Sequence, residues 1–213
     1  MNSNNNPLAF DIQPLTLKGA SVRLEPFRRE DWQPMWEVAK DSLEDIFRWI
    51  PYSMRTPQEF EQWADKALAE QSRGESLVFT TIERASNKIV GSTRFMNIDR
   101  ANRRVEIGST WIAPAWQRTA INTEAKYVML RHAFETWRCV RVELKTDGLN
   151  QKSRNAILRI GAKEEGTLRK HLLTWTGRYR DTVYFSILDS EWPEAKSKLE
   201  LKLSPGKQPL SPS

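Results

Sequence analysis

The sequence contains a single cysteine, Cys139, and no continuous apolar run approaching the roughly 20 residues of a membrane-spanning helix. One cysteine excludes an intramolecular disulfide framework and is typical of the reducing cytosol. The first ten residues, MNSNNNPLAF, lack both the basic segment and the apolar segment of a secretory signal. These absences predict a soluble cytoplasmic protein with no membrane role.

Basic charge and tryptophan are what the sequence has in quantity. Its 33 lysines and arginines exceed its 27 acidic residues, which gives a formal net charge of +6. This balance favours an anionic partner, such as nucleic acid or a phosphorylated cofactor. Because charges of both signs are interspersed and no recognised DNA- or RNA-binding motif is present, nucleic-acid binding is the weaker interpretation. Most of the nine tryptophans are interpreted as core residues, and no metal site is expected.

The length of 213 residues fits one domain with tails. Residues 1–14 are predicted to form a flexible leader, and residues 15–192 the folded domain. Near its end the chain becomes rich in lysine, proline and serine, as in AKSKLELKLSPGKQPLSPS. This composition predicts a disordered tail over 193–213.

Helical and strand patterns alternate within the domain. The segment EDWQPMWEVAKD has apolar residues at helical spacing, and TPQEFEQWADKALAEQ opens with Thr56, Pro57 and Glu59, the signature of a capped helix start. A shorter helix follows Asn150 and ends near Gly161. Strands are predicted at 21–27, twice within 76–99 around a turn at Ser86-Asn87, and at 103–112, 139–146, 163–172 and 180–188.

The middle of the domain has the pattern of a strand, a long helix reaching about Trp137, and a second strand. Such a unit joins parallel strands, whereas the short turns elsewhere join antiparallel ones. The sequence therefore predicts an α+β fold (mixed α/β). Its single mixed, mostly antiparallel sheet has one central β-α-β crossover, and helices lie on both faces.

The stretch PAWQRTAINTEAK, residues 114–126, forms the entry to the crossover helix. Unpaired N–H groups and the helix dipole make such an entry an anion site. Arg118 adds a permanent cation, and Thr119 and Asn122 can cap the first turn or bind an oxygen ligand. The alternative is a capped crossover helix that binds nothing.

The segment WQRTAINTEAKYVMLRHAFE resembles the acyl-CoA-binding segment of the GNAT superfamily of N-acyltransferases, most closely its RimJ/RimL-like branch. The family pattern Gln-x-x-Gly-x-Gly/Ala reads Gln117-Arg118-Thr119-Ala120-Ile121-Asn122 here. The resemblance extends to VEIGSTWI, LNQKSRNAILRIGAKEEG and GRYRDTVYFSIL, and it spans roughly residues 15–190.

The resemblance implies a GNAT-type fold and an activity. An acetyl group passes from acetyl-CoA to a primary amine by direct attack in a ternary complex, without a covalent enzyme intermediate. The acceptor is a protein N-terminus or a small amine, such as a polyamine or an aminoglycoside. A CoA-binding protein of this fold with little or no catalysis is an alternative, and a homodimer is left open.

The resemblance also implies a set of cofactor-binding residues. Backbone groups of Ser109, Trp111 and Ile112 pair with the pantetheine arm, which Ser153 also contacts, and Asn150 lies against that arm or, as a catalytic residue, against the reacting centre. The pyrophosphate is bound by Gln117, Arg118, Thr119, Ala120, Ile121, Asn122 and Thr123, mainly through backbone N–H groups. Ala120 and Asn122 stand where the family usually has glycine, and we expect Ala120 to adopt helical dihedrals, where alanine is favourable.

Glu106 is the first candidate for the general base, because the family often has a glutamate on this strand that contacts the amine. The alternative is a cross-strand ion pair with an arginine. His171 is the second candidate, since imidazole titrates in the useful range, or else it is a surface or core-edge histidine.

The departing thiolate needs a proton, and Ser153 matches a position where relatives carry a hydroxyl suggested to supply it. Many relatives have a tyrosine about a turn further on, where this chain has Ile157. Solvent is the alternative donor, and Asn150 can serve as a helix cap alone. Cys139 is expected to be a core residue rather than an acyl-carrying nucleophile.

The acceptor cleft is expected to be walled by the segment 45–54. Phe47, Trp49 and Tyr52 are the candidate lining residues. The alternative is that these aromatic side chains fill the core.

Overall fold

The computed structural model describes residue 10 and residues 12–204 and contains an eight-stranded sheet. The strands are β1 (Leu17–Lys18), β2 (Val22–Pro26), β3 (Leu77–Glu83), β4 (Lys88–Asp99), β5 (Arg104–Ile112), β6 (Arg141–Asp147), β7 (Lys163–Leu173) and β8 (Tyr179–Leu188). The helices are α1 (Trp32–Ala39), α2 (Leu43–Phe47), α3 (Pro57–Ser72), α4 (Ala120–Arg131), α5 (Gln151–Arg159) and α6 (Trp192–Leu203). None of the described helices is both long and apolar enough to cross a membrane.

The sheet has the spatial order β1-β2-β3-β4-β5-β6-β8-β7. Strands β5 and β6, joined through α4, pair in parallel, and the remaining neighbours pair antiparallel. One hydrophobic cluster joins the sheet to α4 and α6, and a second joins it to α1, α2 and α3. The predicted mixed sheet with a central crossover and helices on both faces is confirmed.

Local sequence signals account for several element ends. Thr56 Oγ1 accepts the N–H of Glu59 at 3.2 Å, and the Glu59 carboxylate accepts the N–H of Thr56 at 3.2 Å, which closes the predicted capping box of α3. Asn87, in the predicted turn between β3 and β4, and Gly177, in the turn between β7 and β8, occupy the left-handed region, with φ of 54° and 79°.

Helix α4 is tied to the first hairpin by a buried carboxylate. Glu124 accepts the N–H groups of Ala20, Ser21 and Val22 at 2.6–2.9 Å. A side chain at Gly19 would collide with Glu124, so this turn requires glycine. Charge-assisted bonds of this kind are strong. They hold the first half of α4 against the edge of the sheet formed by β1 and β2.

The end of the crossover differs in detail from the sequence expectation. Residues His132–Thr136 form a wider π-helical turn after α4, and β6 begins at Arg141 rather than at residue 139. The predicted strand face included Val140, but this residue precedes β6 and is exposed, while Val142 and Leu144 are buried.

The prediction of a disordered tail from residue 193 is wrong for the part of the tail that the structure describes. Residues Trp192–Leu203 form α6, whose Trp192, Ala195 and Leu199 are buried. These three residues recur at helical spacing and so share one face of α6, which packs on α4, although the segment also carries lysines. The leader was also predicted to be flexible, yet Phe10 stacks on Trp137 at 5.0 Å between ring centroids. Residues 1–9, 11 and 205–213 lie outside the described residues.

If α6 is part of the core, Leu199→Ala should lower the free energy of unfolding by about 2–5 kcal/mol, because it leaves a cavity. Leu201→Ala is the matched control, since Leu199 is 1% exposed and Leu201 is 59% exposed on the same helix. Urea unfolding measures both. Equal, small effects of the two substitutions would mean that this segment does not support the core.

Candidate functional site

Strands β5 and β6 pair over only part of their length. Their parallel register joins Arg104–Glu106 to Arg141–Glu143 and ends there, although β5 continues to Ile112 and β6 to Asp147. We call the opening between residues 107–112 and 144–147 the notch. Among the described strands, none pairs with the backbone groups of β5 that face the notch.

A bulge in β5 accounts for this divergence. The pairing with β4 moves from Arg94 opposite Gly108 to Ser92 opposite Trp111, so β5 carries one extra residue over this stretch. Ser109 lies at that position with a φ of 46°. Since a bulge bends the strand that carries it, the last part of β5 turns away from β6 and opens the notch.

The loop after β5 directs the chain into α4. Gln117 Nε2 donates to the carbonyl of Ile112 at 3.0 Å, which ties the loop to the end of the strand. Thr119 is the N-cap, because its Oγ1 accepts the N–H of Ile121 at 3.3 Å and donates to the carbonyl of Trp116 at 2.6 Å. The other N–H groups of the first helical turn point out of the helix end.

Ala120 is the first residue of α4 and has helical dihedrals, as expected for an alanine at this position. The left-handed residue of the loop is Arg118, with a φ of 61°, and its side chain is exposed. Asn122 lies in the first turn, and its Oδ1 is buried with no partner among the described residues. Arg159, from the end of α5, donates to Thr123 Oγ1 at 3.5 Å and brings a second cation to this turn.

On the other side of the bulge, Glu106 is 5% exposed and is held through one carboxylate oxygen. Its Oε2 lies 2.8 Å from Lys145 Nζ on β6 and accepts Asn97 Nδ2 at 2.6 Å. The cross-strand ion pair considered from the sequence is therefore present, with a lysine as the partner. Burial is the largest single influence on Lys145 and works against its charge, but the hydrogen bond and charge of Glu106 together with the interactions of Tyr184 outweigh burial and raise the pKa of Lys145, so the ammonium stays protonated.

The three aromatic residues of the expected acceptor wall have different environments. Phe47 is 3% exposed and packs edge-on against Trp111 and Phe60, so for Phe47 the core alternative holds. The indole of Trp111 is likewise in this core. Tyr52 places its hydroxyl 3.4 Å from Ser109 Oγ at the bulge, and Trp49 is half-buried beside it in the chain.

A family model described as an acetyltransferase (GNAT) domain matches residues 21–163, which is more than half of the chain. The chain belongs to the GNAT family of acetyltransferases. It is 37% identical over 108 residues to Bacillus subtilis YdaF, whose provisional name is ribosomal N-acetyltransferase. That match covers 51% of this chain and 58% of YdaF. Bacillus subtilis YnaD, an uncharacterised N-acetyltransferase, is 25% identical over 180 residues, covering 84% of this chain and 98% of YnaD.

Solved structures agree with the GNAT assignment. A GCN5-related N-acetyltransferase from Brucella melitensis has a TM-score of 0.82 and 34% identity, covering 91% of this chain and 87% of that one. Mycobacterium smegmatis RimJ, solved with CoA-disulfide, has a TM-score of 0.79, covers 90% and 96% of the two chains, and at 24% identity supports the fold alone. The names of the relatives agree with the predicted RimJ/RimL-like branch.

The residues around the notch fit acetyl-CoA, the donor that GNAT enzymes use. The notch offers backbone groups of β5, and the entry to α4 offers N–H groups beside the cations of Arg118 and Arg159. The buried, unpartnered Oδ1 of Asn122 is a further polar atom at this entry. A helix N-terminus with two guanidinium groups is suited to a pyrophosphate.

The pair predicted at the start of α5 forms a helix cap. Asn150 Oδ1 accepts the N–H of Ser153 at 3.0 Å, while Ser153 itself is half-buried. Ile157, which stands where many GNAT relatives have tyrosine, is buried in the core. Among the described side chains of α5, Ser153 therefore remains the candidate hydroxyl.

Two further candidates have clear environments. Burial raises the pKa of the Cys139 thiol to about 12, so its thiolate is scarce at neutral pH and the core interpretation is supported. His171 is exposed on β7, and its ring centroid lies 6.1 Å from that of Tyr184. The Tyr184 ring in turn lies 4.6 Å from Lys145 Nζ, so His171 is connected to Glu106 only through intervening side chains.

Sequence reasoning missed the partners of the predicted residues. Lys145, Asn97 and Arg159 each contact one of them from another element. Lys145 lies two residues after Glu143 and so shares its face of β6, which is a usable signal once the register is known. The register itself depends on the bulge, and no local pattern in the sequence marks Ser109 as left-handed.

Lys126 lies on α4 beneath the bulge and is nearly fully buried. Its Nζ donates to Thr110 Oγ1 at 2.5 Å and to Thr93 Oγ1 at 3.2 Å, so it links β4 and β5 where their register shifts. Burial lowers the pKa of Lys126 to about 7. Two hydroxyl groups thus take the place of the carboxylate that usually accompanies a buried lysine.

This arrangement predicts a pH dependence of stability. Between pH 7 and about 10 the unfolded chain holds a proton on Lys126 that the folded chain lacks, so stability rises with pH in this window. Lys126→Met removes that contribution. The free energy of unfolding of the parent should therefore increase relative to that of the variant as pH rises from 7 to 10. Parallel pH profiles in urea unfolding would contradict the low pKa.

Proposed function

We propose that the protein transfers an acetyl group from acetyl-CoA to a primary amine, by direct attack in a ternary complex. The observation that carries this proposal is the notch itself. A strand edge with free backbone groups, a helix entry suited to pyrophosphate and a polar sheet face meet around one bulge. The acceptor is a protein N-terminal α-amine or a small-molecule amine.

The donor side is assigned to backbone groups. Ser109, Trp111 and Ile112 lie along the edge of the notch, although the Ile112 carbonyl already accepts Gln117. We assign the N–H groups of residues 118–122, apart from that of Ile121, which Thr119 already accepts, to the anionic part of the cofactor, and Arg118 and Arg159 add positive charge. Gln117, Thr119 and Asn150 serve mainly to fix the loop and the helix starts.

When bound, acetyl-CoA supplies an activated acyl group to the amine. The amine must lose a proton, and an N-terminal α-amine, with an ordinary pKa near 8, asks less of a base than a lysine near 10.4. Glu106 is the carboxylate closest to the bulge in the described sheet, and we assign it to bind the amine and take that proton. Lys145 holds this carboxylate in place.

His171 and Ser153 keep secondary roles in the proposal. His171 is the second candidate base, and its exposure favours a contact with the acceptor instead. The Ser153 hydroxyl is assigned to donate a proton to the leaving thiolate, with water as the alternative donor. The free, buried Cys139 supports a reducing cytoplasmic setting.

The alternative is a GNAT-fold protein that binds CoA without catalysis. The contacts of Glu106 favour this alternative, because an incoming amine must compete with Lys145 and Asn97 for Oε2 of the carboxylate. Incubation with acetyl-CoA and a panel of N-terminal peptides, polyamines and aminoglycosides, read as free thiol released, separates the two. Thiol release with one amine class supports the enzyme, whereas CoA binding without release across the panel supports the alternative.

Glu106→Gln should lower kcat by roughly a hundredfold at neutral pH, the order of magnitude of general base catalysis, with CoA affinity retained. Glu143→Gln is the matched control, since Glu143 lies opposite Glu106 on the neighbouring strand and its ion pairs among the described residues are with Arg104 and Arg141. Steady-state kinetics give kcat, and calorimetry gives CoA affinity. Full activity of Glu106→Gln between pH 6 and 9 would remove Glu106 from the role of base.

A further inference from the structure

We propose that Arg180 forms an anion subsite in the acceptor cleft and selects amines that carry a carboxylate on the same molecule. This inference rests on the proposed function, because it assigns the acceptor class of the same site. It follows from an arginine that is buried, lies on the face of Glu106 and has no acidic partner among the described residues.

Arg180 lies near the start of β8 and is 8% exposed. Its Nη1 donates to the Trp49 carbonyl at 3.4 Å, which is a long bond. Its Nε is buried without a partner among the described residues. An arginine has five N–H donors, so most of the donor capacity of Arg180 is unused.

The nearby carboxylates are already occupied. Asp147 is ion-paired with Arg178 and accepts the N–H of Leu149 at 3.0 Å. Glu106 is held by Lys145 and Asn97. Asp147, Glu106 and Tyr184 favour the charged form of Arg180, but burial outweighs them and lowers its pKa. The guanidinium is therefore a desolvated cation, for which a bound anion would be strongly stabilising.

Alternation along β8 places Arg180, Thr182 and Tyr184 on one face, and Tyr184 pairs with Lys145 of β6. This is the face on which Lys145 meets Glu106. Arg180 donates its long hydrogen bond to the carbonyl of Trp49, which belongs to the expected acceptor wall. A molecule in the cleft can thus present its amine to Glu106 and an anion to Arg180.

The charges in the cleft restrict the acceptor. Arg178, Arg180 and Lys145 face only two carboxylates, Asp147 and Glu106, so the described cleft carries an excess positive charge. Polyamines and aminoglycosides bring several cations and are disfavoured. A carboxylate can bind an arginine through two parallel bonds, and it can come from a free amino acid or from an acidic residue near a peptide N-terminus.

The test compares acceptor pairs that differ in the carboxylate. A peptide beginning Ser-Glu is compared with one beginning Ser-Gln, and alanine is compared with alaninamide at equal concentrations of the neutral amine, because the carboxylate of alanine also raises the pKa of its amine. For the full-length enzyme, we expect kcat/KM to favour the acidic member of at least one pair by roughly tenfold or more, as for a charge-assisted bond. The pair that shows the preference identifies the source of the carboxylate.

Arg180→Met keeps an unbranched apolar side chain in place of the arginine stem and removes the charge. It should abolish the preference while leaving kcat/KM for the neutral member within about twofold, and thermal unfolding should show a retained fold, since no ion pair is broken. Arg48→Met is the matched control, because Arg48 is exposed and packs on the Trp49 ring, 4.7 Å from its centroid. This control should keep the preference.

The outcomes separate the two proposals. Thiol release with equal kcat/KM for acidic and neutral acceptors, or an acidic preference that survives Arg180→Met, overturns the subsite and leaves the acetyltransferase proposal intact. Efficient turnover of polyamines in preference to acidic acceptors also overturns it. Absence of thiol release with every amine overturns the acetyltransferase proposal, and the subsite with it.

Discussion

One extra residue in β5 determines the geometry of the site. The residue at the bulge, Ser109, adopts a left-handed conformation, and the strand bends away from its parallel neighbour just after Glu106. Without that bend, β5 and β6 would pair along their full lengths and close the notch. The buried Lys126 supports the bend from below through Thr93 and Thr110, so the opening is held by a polar contact rather than by apolar packing alone.

The bulge also separates two chemical environments. On one side are the notch and the entry to α4, with backbone N–H groups and the guanidinium groups of Arg118 and Arg159. On the other side is a sheet face of charges, where Glu106 and Asp147 are ion-paired and Arg180 has no acidic partner among the described residues. The net charge of +6 is therefore more than a property of the surface. Part of it lies around the cleft, where it favours an anionic cofactor and, by our inference, an acidic acceptor.

Sequence reasoning succeeded where a structural feature depends on neighbouring residues. The capping box at Thr56 and Glu59 and the cap at Asn150 were predicted because each is closed by residues within one helical turn. The crossover was predicted from the order of strands and helix. Sequence reasoning failed where composition and periodicity disagree. The lysines of α6 suggested disorder, although its buried residues lie on one face that α4 covers.

The remaining features of the site depend on distant parts of the chain. The ion-pair partner of Glu106 depends on the register of β6. Arg180 lacks an acidic partner among the described residues because the nearby Asp147 pairs with Arg178 instead. The left-handed residue of the loop is Arg118. Ala120, which stands where the family usually has glycine, is instead helical, because α4 begins directly after the Thr119 cap. None of these features is visible in a window of adjacent residues.

Amide hydrogen exchange with and without CoA is the most direct test of the central claim that the notch and the α4 entry bind the donor together. The account predicts that added CoA slows exchange in residues 107–112 and 118–122, while the hairpin of β3 and β4 around Asn87 is unchanged. Protection in only one of the two segments, or protection elsewhere with the notch unchanged, would contradict it.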